Sequence, residues 1–164
     1  MSTLIEIGPK VLKNPGDKIL ASNLMWCATM ALNGTLRAGV VYDWSTHMIG
    51  HELTALHGID HARTLAIIAP RLFEKKFENK KEKLNQYGQR VWGLNGDCAK
   101  EAISKTEQFF NNLGIATKLS AYTTDYTNTA TEIEKRFNER GWLAMGERAD
   151  LTPEEAKEIV EASI

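Results

Sequence analysis

With 164 residues, 43% of them hydrophobic, the chain has the size and apolar content of one domain, residues 1–164. Its 20 basic and 21 acidic residues leave a net charge of −1, which gives no electrostatic reason to expect nucleic acid or an anionic membrane as partner. No apolar run approaches the ~18 residues of a membrane span, no signal peptide precedes the first helix, and Cys27 and Cys98 stand far apart without a Cys-x-x-Cys pattern. The chain therefore reads as cytoplasmic, with two buried thiols of a reducing compartment.

Helical signals dominate from the start. Thr3-Leu-Ile-Glu6 offers a capping box for a first helix. Pro15-Gly16-Asp17 is a turn into a helix from Lys18 to about Leu32, on which Trp26, with Leu24, Met30 and Leu32 nearby, is expected in the core. Asn33-Gly34 and Gly39 mark a loop reaching Asp43. Met48, Ile49, Leu53, Ala55 and Leu56 recur with helical rather than alternating period, so a helix is predicted from about Ser45 to His57. Gly58 is its C′ residue, because it takes positive φ without steric cost. Asp60 is then expected to cap a second helix. Pro70 should kink or interrupt that helix. The charge-rich run Lys75 to Lys83 interleaves acids with its bases and reads as a solvated helix face rather than a nucleic-acid patch.

Further on, Gly96-Asp97 precedes a helix ending near Leu113, with Gly114 beyond it. Tyr122 to Thr129 reads as a loop, and a helix runs from about Ala130 to Arg140, stopped by Gly141. Thr152-Pro-Glu-Glu155 combines an N-cap, Pro at N1 and Glu at N3. Strand alternation never persists and no repeat is visible. The predicted fold is all-α, with about seven to nine helices.

All four histidines fall in one window, His47, His51, His57 and His61, as two His-x-x-x-His pairs. Residues four apart share a helix face. Singly, each reads as a satisfied imidazole; together they suggest a site, because histidine is the commonest metal-binding side chain. A straight helix would separate His47 and His61 by ~21 Å, far beyond the ~2.0–2.1 Å ligand distances of one ion. The break at Gly58 is thus required for any joint site, and would let His47 and His61 meet with His51 one turn along. Neither pair is a full ligand set. A catalytic zinc site wants three protein ligands, and iron(II) sites often use two His and a carboxylate. Among nearby carboxylates, Glu52 lies off the 47/51 face and Asp60 is better used as a cap. Trp44 could line a pocket or simply pack. Trp142, in the loop after a helix, is a candidate to reach the same cleft.

The run Asn23 to Pro70, and above all Asp-Trp-Ser-Thr-His-Met-Ile-Gly-His-Glu-Leu, closely resembles the iron-containing alcohol dehydrogenases, especially their NADPH-dependent butanol dehydrogenase-type members. The resemblance continues more loosely through Gln86–Trp92 and Phe109–Gly114 to the C-terminus. It implies the all-α C-terminal domain of a metal-dependent alcohol dehydrogenase or aldehyde reductase using NADP(H) or NAD(H). It implies His47 and His61 as ligands of a divalent metal, iron or zinc. His51 matches a cleft histidine near nicotinamide and substrate, giving it catalytic and cofactor-binding roles. His57 matches no ligand and is structural.

In that family a nucleotide-binding domain and two further ligands, an Asp and a His, precede the matched segment. They are absent from these 164 residues, so the expected partners are that domain, a small alcohol or aldehyde, and further copies in a homo-oligomer. The face of Trp44, His47, His51 and His61 is accordingly expected to be exposed, with Met48 and Ile59 partly uncovered. The competing readings are a stand-alone helical module that binds metal or haem through the His-x-x-x-His pairs, and a purely structural helical bundle.

Overall fold

Turn glycines and side-chain caps mark several helix ends in the computed structural model, which describes residues 1–164. The helices are α1 (Ser2–Lys13), α2 (Lys18–Leu32), α3 (Ser45–His57), α4 (His61–Lys75), α5 (Phe77–Trp92), α6 (Ala99–Asn112), α7 (Thr129–Glu139) and α8 (Pro153–Glu161). Short 3-10 turns lie at Thr35–Arg37 and Leu119–Ala121. The only extended pairing is a single bridge between Met145 and Leu151. The all-α expectation holds.

Local chemistry explains several boundaries. The Asp17 side chain accepts from the backbone N–H groups of Ile19 and Leu20 and opens α2. Gly58 takes φ 67° and its N–H closes α3 on the Thr54 carbonyl at 2.9 Å. At α8, Thr152 accepts from the Glu155 N–H and the Glu155 carboxylate accepts from the Thr152 N–H, a complete capping box.

The core forms where α3, α4, α7 and α8 meet. Ile49 and Leu53 from α3, Ile67, Ile68 and Leu72 from α4, Ile133 and Phe137 from α7, and Ile159 and Val160 from α8 are almost wholly buried. Each such side chain contributes about 1.5–3 kcal/mol by leaving water. A smaller cluster of Leu84, Ala99 and Ile103 joins α5 to α6. The two histidine-bearing helices are therefore packed on the main core.

Six local expectations fail, each for a tertiary or geometric reason. Trp26 is 65% exposed, and α2 buries no residue, because α1 and α2 pair with one another and contribute only Ile7 to the buried set. Ile59 is only 7% exposed, drawn into the main core, although Met48 is half-buried as expected. Thr3 lies inside α1, which begins at Ser2 without a side-chain cap. Asp60 does not cap α4; its carboxylate pairs with Arg63 instead. Pro70 does not interrupt α4: it is buried in mid-helix and the helix continues to Lys75, held by Ile67, Ile68 and Leu72 against the core.

The sixth is the charged run, whose lysines are not all solvated. Lys76 reaches Glu155 at 2.6 Å, and Lys80 reaches Asp43 and Glu147, each at 2.7 Å. Of the thiols, Cys98 is buried and Cys27 half-buried. No helix is long and apolar enough to cross a membrane.

Candidate metal centre

α3 and α4 pack tightly at Gly50, against the side chains of Thr64 and Leu65. A Cβ at Gly50 would lie 2.9 Å from Thr64 Oγ1 and 3.3 Å from Leu65 Cδ2. With glycine there, the two helices come close enough for their histidines to converge. His47 Nδ1 lies 3.0 Å from His61 Nε2. The His51 ring stacks on that of His61, with centroids 4.3 Å apart and planes 4° from parallel. One ligand nitrogen from each of His47, His51 and His61 falls within a 4.8 Å set. The turn at Gly58 thus unites three of the four histidines.

The fourth points elsewhere. His57 Nε2 is 2.8 Å from Thr129 Oγ1 and ties the end of α3 to the start of α7. The carboxylates of the neighbourhood are also committed. Asp43 accepts from Lys80 and from the Ser45 N–H at 2.8 Å. Glu52, with a side chain only 6% exposed, accepts from Arg136 and Arg140. The donor set is therefore nitrogen only.

These donors fit a divalent ion. Two nitrogens bound to one ion at ~2.0–2.1 Å, at octahedral or tetrahedral angles, lie about 2.9–3.4 Å apart. The 3.0 Å separation of His47 Nδ1 and His61 Nε2 falls in that range. His61 Nδ1 is buried without a hydrogen-bond partner. Burial, reinforced by the neighbouring imidazoles, holds His47 and His61 below the ordinary histidine range, so both carry free lone pairs at neutral pH. Nitrogen donors of this kind suit zinc and iron alike.

Aromatic side chains flank the cluster. Trp44 stacks on His47 with centroids 4.1 Å apart. Trp44, Met48, His51, Glu52 and Trp142 line an open cavity of about 360 Å³. Trp44 and Trp142 both reach the cleft beside His51. Sequence reading missed the Glu52–Arg136–Arg140 cluster beneath that cavity. Its one sequence signal is an acid beside a site histidine, and nothing local pairs it with residues more than 80 positions away.

Comparison with known proteins matches residues 1–163 to the model of the Fe-containing alcohol dehydrogenase family, C-terminal. The chain is 46% identical over 165 residues to the NADPH-dependent aldehyde reductase YqhD of Escherichia coli K12, covering 98% of this chain and 42% of that protein. It is 33% identical over 168 residues to the NADH-dependent butanol dehydrogenase B of Clostridium acetobutylicum, covering 98% of this chain and 42% of that protein. Superposition on the crystal structure of E. coli YqhD gives a TM-score of 0.93 over 99% of this chain and 42% of that one. The NADH-dependent butanol dehydrogenase A of Thermotoga maritima, 23% identical, shares the fold with a TM-score of 0.84 over 99% of this chain and 43% of that one. The chain thus spans well under half the length of these relatives.

Proposed function

This chain belongs to the iron-containing alcohol dehydrogenase family, and from that premise we propose that it is the metal-presenting domain of an NAD(P)H-dependent alcohol dehydrogenase or aldehyde reductase. His47 and His61 hold a divalent ion, iron or zinc, and His51 faces the substrate oxygen. The observation that carries this reading is the 3.0 Å approach of His47 Nδ1 to His61 Nε2 across a glycine-tight helix contact.

When bound, the ion supplies Lewis-acid polarisation of a carbonyl oxygen. The protein residues divide the remaining work. His47 and His61 stay neutral because burial disfavours their charged forms, and neutrality is what a ligand requires. Trp44 fixes the His47 ring by stacking on it. His51, exposed and parallel to His61, is placed to orient the substrate oxygen or pass a proton to solvent. His57 and Thr129 hold the end of α3.

These 164 residues contain neither a parallel sheet nor a glycine-rich strand-to-helix loop of the dinucleotide-binding kind, and their contribution to the cofactor is His51, on the nicotinamide side of the cleft. The nicotinamide and the remaining metal ligands are assigned to a partner nucleotide-binding domain, with the reaction in the cleft between the two. A copy of the same chain is a further partner, in a homo-oligomer.

Cobalt(II) titration of the chain, followed by visible absorption, tests the ligand assignment. His47→Ala and His61→Ala should each weaken uptake sharply, and His51→Ala should leave it intact. Binding that survives both ligand substitutions would overturn the assignment. A second reading, His51 as third ligand, is favoured by the common 4.8 Å set; loss of cobalt in His51→Ala would establish it. Tight binding by the chain alone would favour a self-sufficient metal module.

A further inference from the structure

Lys80 lies one turn into α5, outside the histidine cluster, with a side chain only 12% exposed. Its ammonium donates to Asp43 Oδ2 at 2.7 Å and to the two Glu147 oxygens at 2.7 and 2.9 Å. An ammonium has three donors, and these contacts engage all of them. Asp43 stands 37 positions from Lys80 in sequence and Glu147 67 positions. The bridge therefore ties the segment before α3 and the loop after α7 to one point on α5. Those two segments also touch directly. Gly146, at φ 87°, lies so close to the start of α3 that a Cβ there would be 3.1 Å from Ser45 Oγ. Paired N–H···O bonds between Met145 and Leu151, at 2.9 and 3.0 Å, close the loop behind it.

What the bridge holds is the first turn of α3. The N–H groups of a first turn have no partner within the helix, and helix ends fray. His47 lies in that turn. Its N-cap residue, Trp44, makes no side-chain cap. Asp43 supplies one from outside, accepting from the Ser45 N–H at 2.8 Å. Trp44, between these two residues, stacks on the His47 ring with planes 10° from parallel. Lys80 fixes Asp43, Asp43 fixes the backbone on both sides of Trp44, and Trp44 fixes the ring. His61 is placed by other contacts, from His51 and Thr64. Lys80 thus governs one half of the 3.0 Å nitrogen pair. Neither Asp43 nor Glu147 pairs with a second cation. Without the ammonium, two half-buried carboxylates would face one another across the space it fills, and an attraction between the two segments would become a repulsion.

We propose that Lys80 is a positioning residue of the metal centre: by drawing Asp43 and Glu147 together it holds the first turn of α3, and with it Trp44 and the His47 ring, in the geometry that faces His61. This rests on the reading of His47 as a metal ligand, and adds to it a residue that touches no histidine.

Two readouts on the 164-residue chain test this, one of them free of metal. The first is the NMR cross-peak between the Trp44 indole and His47 imidazole protons, assigned with Trp44→Phe and His47→Ala. The second is cobalt(II) titration followed by visible absorption. Lys80→Met should remove the cross-peak and lower cobalt affinity roughly tenfold, the scale of losses behind metal ligands. Lys80→Arg should restore the cross-peak and part of the affinity, because a guanidinium also forks to two carboxylates. Lys76→Met is the control. Lys76 bonds Glu155 at 2.6 Å and the Asp150 carbonyl at 2.8 Å but not Asp43. Its loss should lower Tm while cross-peak and cobalt affinity stay as in wild type. Circular dichroism confirms that each variant is folded, and a Lys80→Met chain that fails to fold is replaced by Lys80→Gln, for which the same losses are expected.

A cross-peak that persists in Lys80→Met, no recovery in Lys80→Arg, or an equal loss in Lys76→Met overturns the proposal. So does an unchanged cobalt affinity in Lys80→Met when wild-type uptake depends on His47. Titration of His47→Ala separates the two readings. Cobalt uptake untouched by that substitution removes the ligand assignment, and the metal-free cross-peak then decides whether Lys80 holds the His47 ring. Cobalt uptake that needs His47 but ignores Lys80 keeps the metal centre and removes the positioning role.

Discussion

Gly50→Ala is the sharpest perturbation of the α3–α4 contact, because it enlarges the interface by one methyl group without touching a histidine. The new Cβ would meet Thr64 Oγ1 at 2.9 Å and Leu65 Cδ2 at 3.3 Å. Thr64 cannot easily swing aside: it is fully buried, and its hydroxyl donates to the His61 carbonyl at 2.8 Å. Overpacking of this kind costs about 1–3 kcal/mol. Alanine regains ~1 kcal/mol over glycine in a helix interior, so the net loss is ~0–2 kcal/mol. For a domain of this size each kcal/mol lowers Tm by roughly 2–4 °C, giving a drop of about 0–8 °C by calorimetry.

The metal readout is more discriminating. Relief of the contact moves α4 away from α3 and widens the 3.0 Å gap between His47 and His61. Cobalt(II) affinity should fall roughly tenfold, as for other losses of support behind metal ligands. Adding Thr64→Ala removes the hydroxyl contact and should recover part of both effects. A Gly50→Ala chain that binds cobalt as wild type does would refute the idea that the glycine contact sets the ligand spacing.

Gly88→Ala should destabilise the α5–α6 pair by about 1–3 kcal/mol, since its Cβ would fall 2.6 Å from Cys98 Sγ; thermal melting checks this, with Cys98→Ala expected to restore stability. His57→Ala should cost about 1 kcal/mol in urea unfolding by removing the 2.8 Å contact to Thr129, while cobalt uptake stays unchanged. For Asp43, burial opposes ionisation, but the hydrogen bonds it accepts from Lys80 and the Ser45 N–H help to outweigh it, and the carboxyl is held at about 2, below the ordinary 3.8. A depressed folded pKa means that its stabilisation, about 1–2 kcal/mol after allowance for solvent screening, is complete above about pH 4 and is lost as the pH falls through about 2. Acid unfolding followed by circular dichroism should lose that step in Asp43→Asn. Finally, the 164 residues assayed alone with NADPH and butyraldehyde, with zinc or iron added, should show no turnover; activity at an ordinary dehydrogenase rate would contradict the need for a partner domain.

Sequence alone determined what depends on neighbours along the chain. Gly58 ends α3 because only a residue tolerant of positive φ closes that turn cheaply, and Thr152 with Glu155 opens α8 because both halves of the capping box lie within four residues. The histidine window pointed to a candidate site for the same reason: its residues are close in sequence, and His47 and His51 lie four apart on one face of α3. Tertiary structure decided everything that depends on what lies opposite. Trp26 has the character of a core residue, yet it stands in solvent because α2 packs mainly on α1 and no layer of these residues covers its outer face. Pro70 survives in mid-helix because burial of its neighbours outweighs one missing hydrogen bond. Lys80 turns inward because Asp43 and Glu147 converge on it from two distant loops. Glu52 is held by Arg136 on α7 and Arg140 just beyond its end, and Trp142 reaches His51 because α7 ends beside α3. Periodicity records which face of a helix is apolar, but the free energy of burial is realised only when another surface meets that face.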